Sequence, residues 1–388
     1  MNEPKIRFNG FEGEWESPSI DDVFYIRNGY TPSKAVKEFW DGGTIPWFRM
    51  EDIRENGGIL KDAIQHITPL GVKGTGLFEK NSIILATTAT IGVHAMLIAD
   101  SLANQQFTNF SIRKSLSDNY IDGFVYYSFF GIDEWSKKNV NTGGLLSVNM
   151  PLLLKQPFLT PEVEEQQKLA SYFTHLDTLI TSSASRLSSL KQMKAASLQA
   201  MFPQEGETVP KIRFKGFEGE WEEKRLGEMC SVNRGVRLTR KDLDRNGTYP
   251  VYQNTNYPLG YYNSYNVCKN NPYVIIGGSA GLIGYSCTNF WAADDCAYFG
   301  KNDNLNKFFL YNTLVSKSSE IQKNVRGASI PRLDRNVLSD LKIHLPSLPE
   351  QQAIASYFTS LDKQITLQSQ RLEKLKQIKS ACLDKMFA

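Results

Sequence analysis

The stretch EQQKLASYFTHLDTLITSSASRLSSLKQMKAASLQAMF, Glu165 to Phe202, returns as EQQAIASYFTSLDKQITLQSQRLEKLKQIKSACLDKMF, Glu350 to Phe387, without a gap. Alternating steps of three and four from Phe173 reach Leu176, Ile180, Ser183, Leu187, Leu190, Lys194, Ser197 and Met201. The same walk from Phe358 reaches Leu361, Ile365, Gln368, Leu372, Leu375, Lys379, Cys382 and Met386. This is a heptad seam with polar interruptions, and neither copy holds a Gly or Pro to break a helix. Pro161 and Pro349 lie where a helix start tolerates proline, and Glu162, Glu164, Glu165 and Glu350 suit the positive end of the helix dipole. Each copy is expected to be a rod of roughly 57 Å. A lone rod with one apolar seam is unstable in water, so two matching seams predict an antiparallel intramolecular coiled coil.

A second repeat precedes the first. Pro4 to Glu16, PKIRFNGFEGEWE, recurs at Pro210 to Glu222 with one change, Asn9 to Lys215. It carries apolar residues (Ile6, Phe8, Phe11, Trp15) among glycines and no acid–base pair, which suits a packing segment. PQEGETVP, Pro203 to Pro210, reads as a linker. The order is motif, variable block, rod, linker, motif, variable block, rod. The expected divisions are a first domain at 1–160, a rod at 161–203, a second domain at 204–348 and a rod at 349–388.

The two blocks differ overall yet echo each other. TIPWFRMEDI (44–53) parallels TYPVYQNTNY (248–257), and SIILATTATIGV (82–93) parallels YVIIGGSAGLIGY (273–285), each ending near Ile-Gly. Helical stretches are expected at 120–130 and 305–317. Each block therefore reads as a mixed α+β domain on one scaffold with different loops. Two similar domains on antiparallel rods make a pseudo-twofold, the symmetry DNA-binding dimers use to read paired half-sites. Differing loops predict an asymmetric, bipartite target with an unread gap.

The 388 residues suffice for two or three domains, and 41% hydrophobic with 12% aromatic residues describes a folded chain. No apolar run approaches a membrane span. Five cysteines without metal-ligand spacing read as reduced thiols in a cytoplasm. A net charge of +3 is weak for a lone nucleic-acid binder: either the chain is no such protein, or its basic residues cluster locally, or partner subunits share the grip, and composition alone does not choose among these.

The P-x-x-E-Q-x-x-[IL]-A-x-Y-F…LD pattern at each rod start, with two dissimilar blocks between repeated helices, resembles type I restriction-modification specificity subunits over essentially the whole chain. The resemblance implies a protein without chemistry or cofactor of its own, each variable domain reading half of a split DNA sequence. It also implies two docked modification subunits that methylate adenine with S-adenosylmethionine. Restriction subunits using ATP and Mg would complete the complex.

Two other readings compete: a stand-alone adenine methyltransferase using Asn270-Asn271-Pro272-Tyr273, and a coiled-coil adaptor for proteins. The first lacks the second proline of the usual motif and a Gly-rich cofactor turn, so a strand entry is expected there. GGSAGLIG (277–284) lacks the G-K-[ST] of a phosphate loop, and the histidines His66, His94, His175 and His344 give no metal spacing.

For DNA contact the useful groups are Arg on guanine, Asn or Gln on adenine, and cations or hydroxyls on phosphate. In the first block the candidates are the loop 29–34 with Lys34, Arg49, Asn104, Gln105 and Gln106, and Lys137, Lys138, Asn139 and Asn141. In the second they are Arg234, Arg237, Arg240 and Lys241 within NRGVRLTRK, then Gln253, Asn254 and Asn256, and finally Lys323 and Arg326 before a Gly turn.

Overall fold

The computed structural model describes residues 3–387 and divides the chain into two compact units. Among the described residues one unit comprises 3–183 with 371–387, the other 184–370. Each rod is a single unbroken helix, Val163–Ala200 and Leu348–Met386, and each contributes part of its length to both units.

In the first unit the strands are β1 (Phe24–Asn28), β2 (Ile45–Phe48), β3 (Ile59–Leu60), β4 (Gln65–Ile67) and β5 (Ile83–Ala86). They continue with β6 (His94–Leu97), β7 (Leu102–Ala103), β8 (Phe107–Ile112), β9 (Val140–Asn141) and β10 (Ser147–Val148). One sheet has the order β1-β8-β5-β6-β3, and a second has β4-β2-β7. Strand β5 explains why both are needed. Its alternate residues Ile83 and Leu85 face a core built with Phe124, Phe129 and Phe173, while Ile84 and Ala86 face one built with Trp47, Phe48 and Phe107. The helix expected at 120–130 is Asp122–Lys138, starting two residues later and ending eight residues later, because Asp133 and Ser136 of its last turns are also buried.

The second unit holds β11 (Glu222–Arg225), β12 (Val232–Arg234), β13 (Tyr249–Tyr252), β14 (Gly260–Tyr262) and β15 (Asn271–Ile275). It then adds β16 (Ile283–Ser286), β17 (Trp291–Ala292), β18 (Cys296–Phe299) and β19 (Lys342–Leu345). Its two larger sheets run β12-β18-β15-β16 and β14-β13-β17, the plan of the two larger sheets of the first unit without a counterpart of β3, and β11 pairs with β19 in a third. The helix Lys307–Ser316 occupies the place of Asp122–Lys138.

Along both rods the seam positions are the buried or half-buried ones, while most of the intervening residues are exposed. Within each unit the rod segments pack antiparallel. In the first, Tyr172 meets Cys382 at 3.5 Å and Lys379 Nζ reaches Asp177 at 2.6 Å. In the second, Ser197 meets Tyr357 at 2.9 Å and Lys194 Nζ reaches Asp362 at 2.5 Å. A lysine in a heptad seam is therefore not a defect: each has a carboxylate, and each also lies over a tyrosine, Tyr127 or Tyr311.

The repeated EQQ and PKIRF motifs are two halves of one clasp. Arg7 donates through Nε and Nη2 to Glu165, both at 2.8 Å, and Arg213 does the same to Glu350, both at 2.7 Å. Both glutamates are only 1% exposed. The next residue is equally constrained. Gln166 accepts from the Ile121 amide at 3.0 Å and donates to Asn119 and Pro161, while Gln351 accepts from Asn306 at 3.0 Å and donates to Asn304 and Pro346. Each glutamine so ties its rod to the start of the neighbouring helix. Trp15 and Trp221 are buried as expected, but Ile6 is 48% exposed; its main chain does the docking, donating to Lys385 O at 2.9 Å. Ile212 likewise donates to Ala200 O at 2.9 Å.

Candidate nucleic-acid interface

In the first unit, three of the four candidate segments meet at the ends of strands. β2 pairs in parallel with β7, so the chain leaves both at the same edge, at Arg49 and Asn104. The Asn104 amide donates to Phe48 O at 3.0 Å, and the Tyr30 amide to Ala103 O at 2.9 Å. Thr31 Oγ1 donates to Gln105 Oε1 at 2.5 Å, joining residues 74 positions apart. Gly29 is required for this approach: a Cβ there would stand 2.2 Å from Asn104 O. Arg49 lies over the Trp47 ring and pairs with Glu51 at 2.7 Å. Gln106 O accepts from Thr87, whose own carbonyl accepts from Val148, so the β9–β10 hairpin bearing Asn141 borders the same tip. Asn104 and Gln106 bond to each other, Lys137 is paired with Glu134 at 2.7 Å, and Lys34 and Lys138 are exposed. Asn139 is turned inward, donating to Trp135 O at 2.8 Å.

The second unit repeats the construction with other side chains. β13 pairs in parallel with β17, the Ala293 amide donates to Tyr252 O at 2.9 Å, and the Val236 amide to Ala292 O at 2.9 Å. Gly235 stands where Gly29 does, and a Cβ would lie 2.1 Å from Ala293 O. NRGVRLTRK is folded over this edge. Leu238 packs on Val251 and Ala293, leaving Arg237, Arg240 and Lys241 exposed on either side of it. Arg234 Nε donates to Asp294 O at 2.7 Å. Ser279 donates to Asn254 O at 3.0 Å, beside Gln253. Gly278 donates to Pro331 O at 3.1 Å, which brings in the loop from Lys323 and Arg326. Arg326 Nη1 is occupied locally by the carbonyls of Lys323 and Val325. Asn256 is exposed, its carbonyl accepting from Tyr273 at 3.3 Å.

Sequence reasoning did not pick out Arg332, Asp294 or Asp295, all at this tip. Arg332 Nη1 lies 3.3 Å from Asp295 Oδ1. Acidic residues carry no signal in a search for basic clusters, and only the fold places them beside Arg234. The small-residue turns also align differently from the Ile-Gly echo. Gly92 donates to Ala86 O and Gly281 to Ile275 O, so the counterpart of Gly92 is Gly281, and both have positive φ, 72° and 84°.

The Asn270–Tyr273 stretch enters β15, as the strand reading expects. Tyr273 is 2% exposed and stacked on Tyr252 with centroids 4.5 Å apart, so its ring is committed to the core rather than to a flipped base. His66 and His94 bond to Asp62 and Asp133, both at 2.6 Å, His175 is exposed on a rod, and His344 lies near Glu223. Among the described residues no group of three or more His, Cys, Asp or Glu could hold a metal, and no helix is long and apolar enough to cross a membrane.

A family model for the type I restriction modification DNA specificity domain matches residues 12–192 and 218–377. The specificity subunit of the Escherichia coli type I restriction enzyme EcoprrI is 30% identical over 383 residues, covering 96% of this chain and 92% of the relative. The MjaIX specificity subunit of Methanocaldococcus jannaschii is 24% identical, with 96% and 92% covered. Among solved structures, the S subunit of a type I system from M. genitalium matches with a TM-score of 0.66 at 17% identity, covering 100% of this chain and 99% of that one. A chain from a study of assembly and conformational transition in the type I system matches at 0.58, also 17% identical, with 96% and 97% covered. The chain belongs to the type I restriction-modification DNA specificity family, the recognition and not the catalytic component of such systems.

Proposed function

We propose that this chain reads a bipartite, asymmetric DNA target, one half-site per unit, and docks modification and restriction subunits on its rods and adjoining surfaces. The observation that carries the reading is the duplicated tip. The same parallel strand pair, close-approach glycine and crossing hydrogen bonds recur, while the side chains presented differ. A shared frame with different side chains suits a reader of two different half-sites. In this reading 1–160 and 204–348 are the target-recognition domains, and 161–203 with 349–388 set the gap. Lys34, Arg49, Asn104, Gln105, Asn141, Arg234, Arg237, Gln253 and Asn254 face DNA. The modification subunits supply S-adenosylmethionine chemistry, and the whole works in the cytoplasm, where its DNA is.

The test is sequence-selective binding by the chain reconstituted with its modification subunits, followed across salt concentrations. Selective, salt-sensitive binding supports the reading. Methyl transfer by the purified chain alone, or binding indifferent to sequence, would refute it. The methylated motif in a host with and without the gene would reveal both half-sites.

A further inference from the structure

The two tips can be matched residue by residue, and the match singles out one position in each. Gln106 O accepts from Thr87 N at 2.9 Å, and Asp295 O accepts from Ile276 N at 2.8 Å. Asn104 N and Ala293 N donate to the last carbonyls of β2 and β13. Between these fixed points lie Gln105 in one unit and Asp294 in the other.

Gln105 is exposed at the turn, and its amide oxygen accepts from Thr31. That bond orients the carboxamide while leaving its two N–H groups and one oxygen lone pair for a ligand. Asp294 is anchored through its main-chain oxygen by Arg234 Nε. Its Oδ1 is shielded from solvent without a hydrogen-bond partner among the described residues. With Oδ1 turned away from solvent, the carboxylate is left to meet a ligand through Oδ2. Arg234, which holds the Asp294 carbonyl, and Arg237, three residues on, are both exposed and would hold a polyanion against this carboxylate.

The chemistry of the two groups differs in kind. A carboxamide both donates and accepts, which fits adenine N7 and N6 together. An ionised carboxylate only accepts, and the cytosine N4 amino group is its match in the major groove. Building on the DNA-reading function above, the geometry points to Gln105 and Asp294 as equivalent specificity-determining positions. Gln105 reads adenine in one half-site, and Asp294 reads cytosine in the other.

The experiment selects preferred duplexes from a randomised pool with the reconstituted complex, for the wild-type chain and for Gln105→Glu and Asp294→Asn. Both substitutions are nearly isosteric, and subunit assembly with thermal melting verifies that each variant is folded. The expected result is a change at one base position of one half-site per variant, adenine toward cytosine for Gln105→Glu and cytosine toward adenine for Asp294→Asn. Preference at that position should shift by roughly ten- to a hundredfold. A wild-type complex that selects no sequence sinks the DNA-reading function and this inference with it. A selective wild type with unchanged preferences in both folded variants overturns the inference alone. So does a uniform loss of binding on all sequences, which would mark a backbone contact. A variant that does not assemble is replaced by Gln105→Ala or Asp294→Ala, for which retained preference at every position counts against the proposal.

Discussion

At the scale of single residues, the clasp is the most demanding feature. A carboxylate almost entirely removed from water is tolerated because a guanidinium meets both of its oxygens, in Arg7–Glu165 and again in Arg213–Glu350. Removing one partner leaves a buried charge uncompensated. Arg213→Ala is therefore expected to destabilise its unit by about 3–5 kcal/mol in urea unfolding, and Arg213→Met with Glu350→Leu to recover most of the loss. Equal losses in the single and double variants would show that the pair is not what is stabilising. His344 offers a pH test. Burial lowers its pKa from the usual 6.5, with Lys317 and Lys342 adding to the effect and Glu223 opposing it. The unfolded chain then binds a proton more readily than the folded one just below 6.5, so stability present above that pH is lost as pH falls. The urea midpoint should drop less between about pH 7.5 and 5.5 for His344→Gln than for the parent chain.

At the scale of elements, the tips depend on glycines that let one main chain touch another. Gly29→Ala and Gly235→Ala would place a methyl group against fixed carbonyl oxygens, at 2.2 and 2.1 Å, where no flexible side chain can give way. Each should cost roughly 1–3 kcal/mol. Each should also degrade recognition of one half-site only, read from the duplexes the reconstituted complex selects; damage to both would contradict independent tips. The rods show the opposite economy. Lys194 and Lys379 interrupt an apolar seam, but their pairing with Asp362 and Asp177 fixes which residues lie opposite, a specification a run of leucines would lack.

For the whole molecule, the proposed division of labour makes the rods a ruler and the blocks cassettes. One heptad inserted in register after Leu187 and after Leu372 keeps the seam and lengthens each rod by about 10 Å. With rods lying along the duplex, that is about three base pairs of added gap, with both half-sites unchanged. Methylation motifs of the host strains would settle it, an unchanged gap in an active complex excluding the ruler. Exchanging residues 17–160 for the corresponding block of a relative should alter one half-site alone. A change in both would end the cassette idea.

The sequence alone determined the duplication, the two rods with their seam, and the mixed α+β character of the blocks. Those features live in local periodicity and in near-identity of short segments, so they need no knowledge of what packs where. It also placed Arg7 and Gln166 inside the repeated motifs without saying why they recur. Only the tertiary structure joined Arg7 to Glu165 and Gln166 to Ile121, because those partners lie 158 and 45 residues apart. The tips were the least legible part. Thr31 reaches Gln105 across 74 residues and Arg234 reaches Asp294 across 60, and no periodicity connects them. Basic and amide residues could be guessed from chemistry, whereas Asp294 became visible only when parallel pairing of short strands brought it beside an arginine. A contact made by strand ends depends on register, and register is decided by the packed core rather than by the residues at the turn.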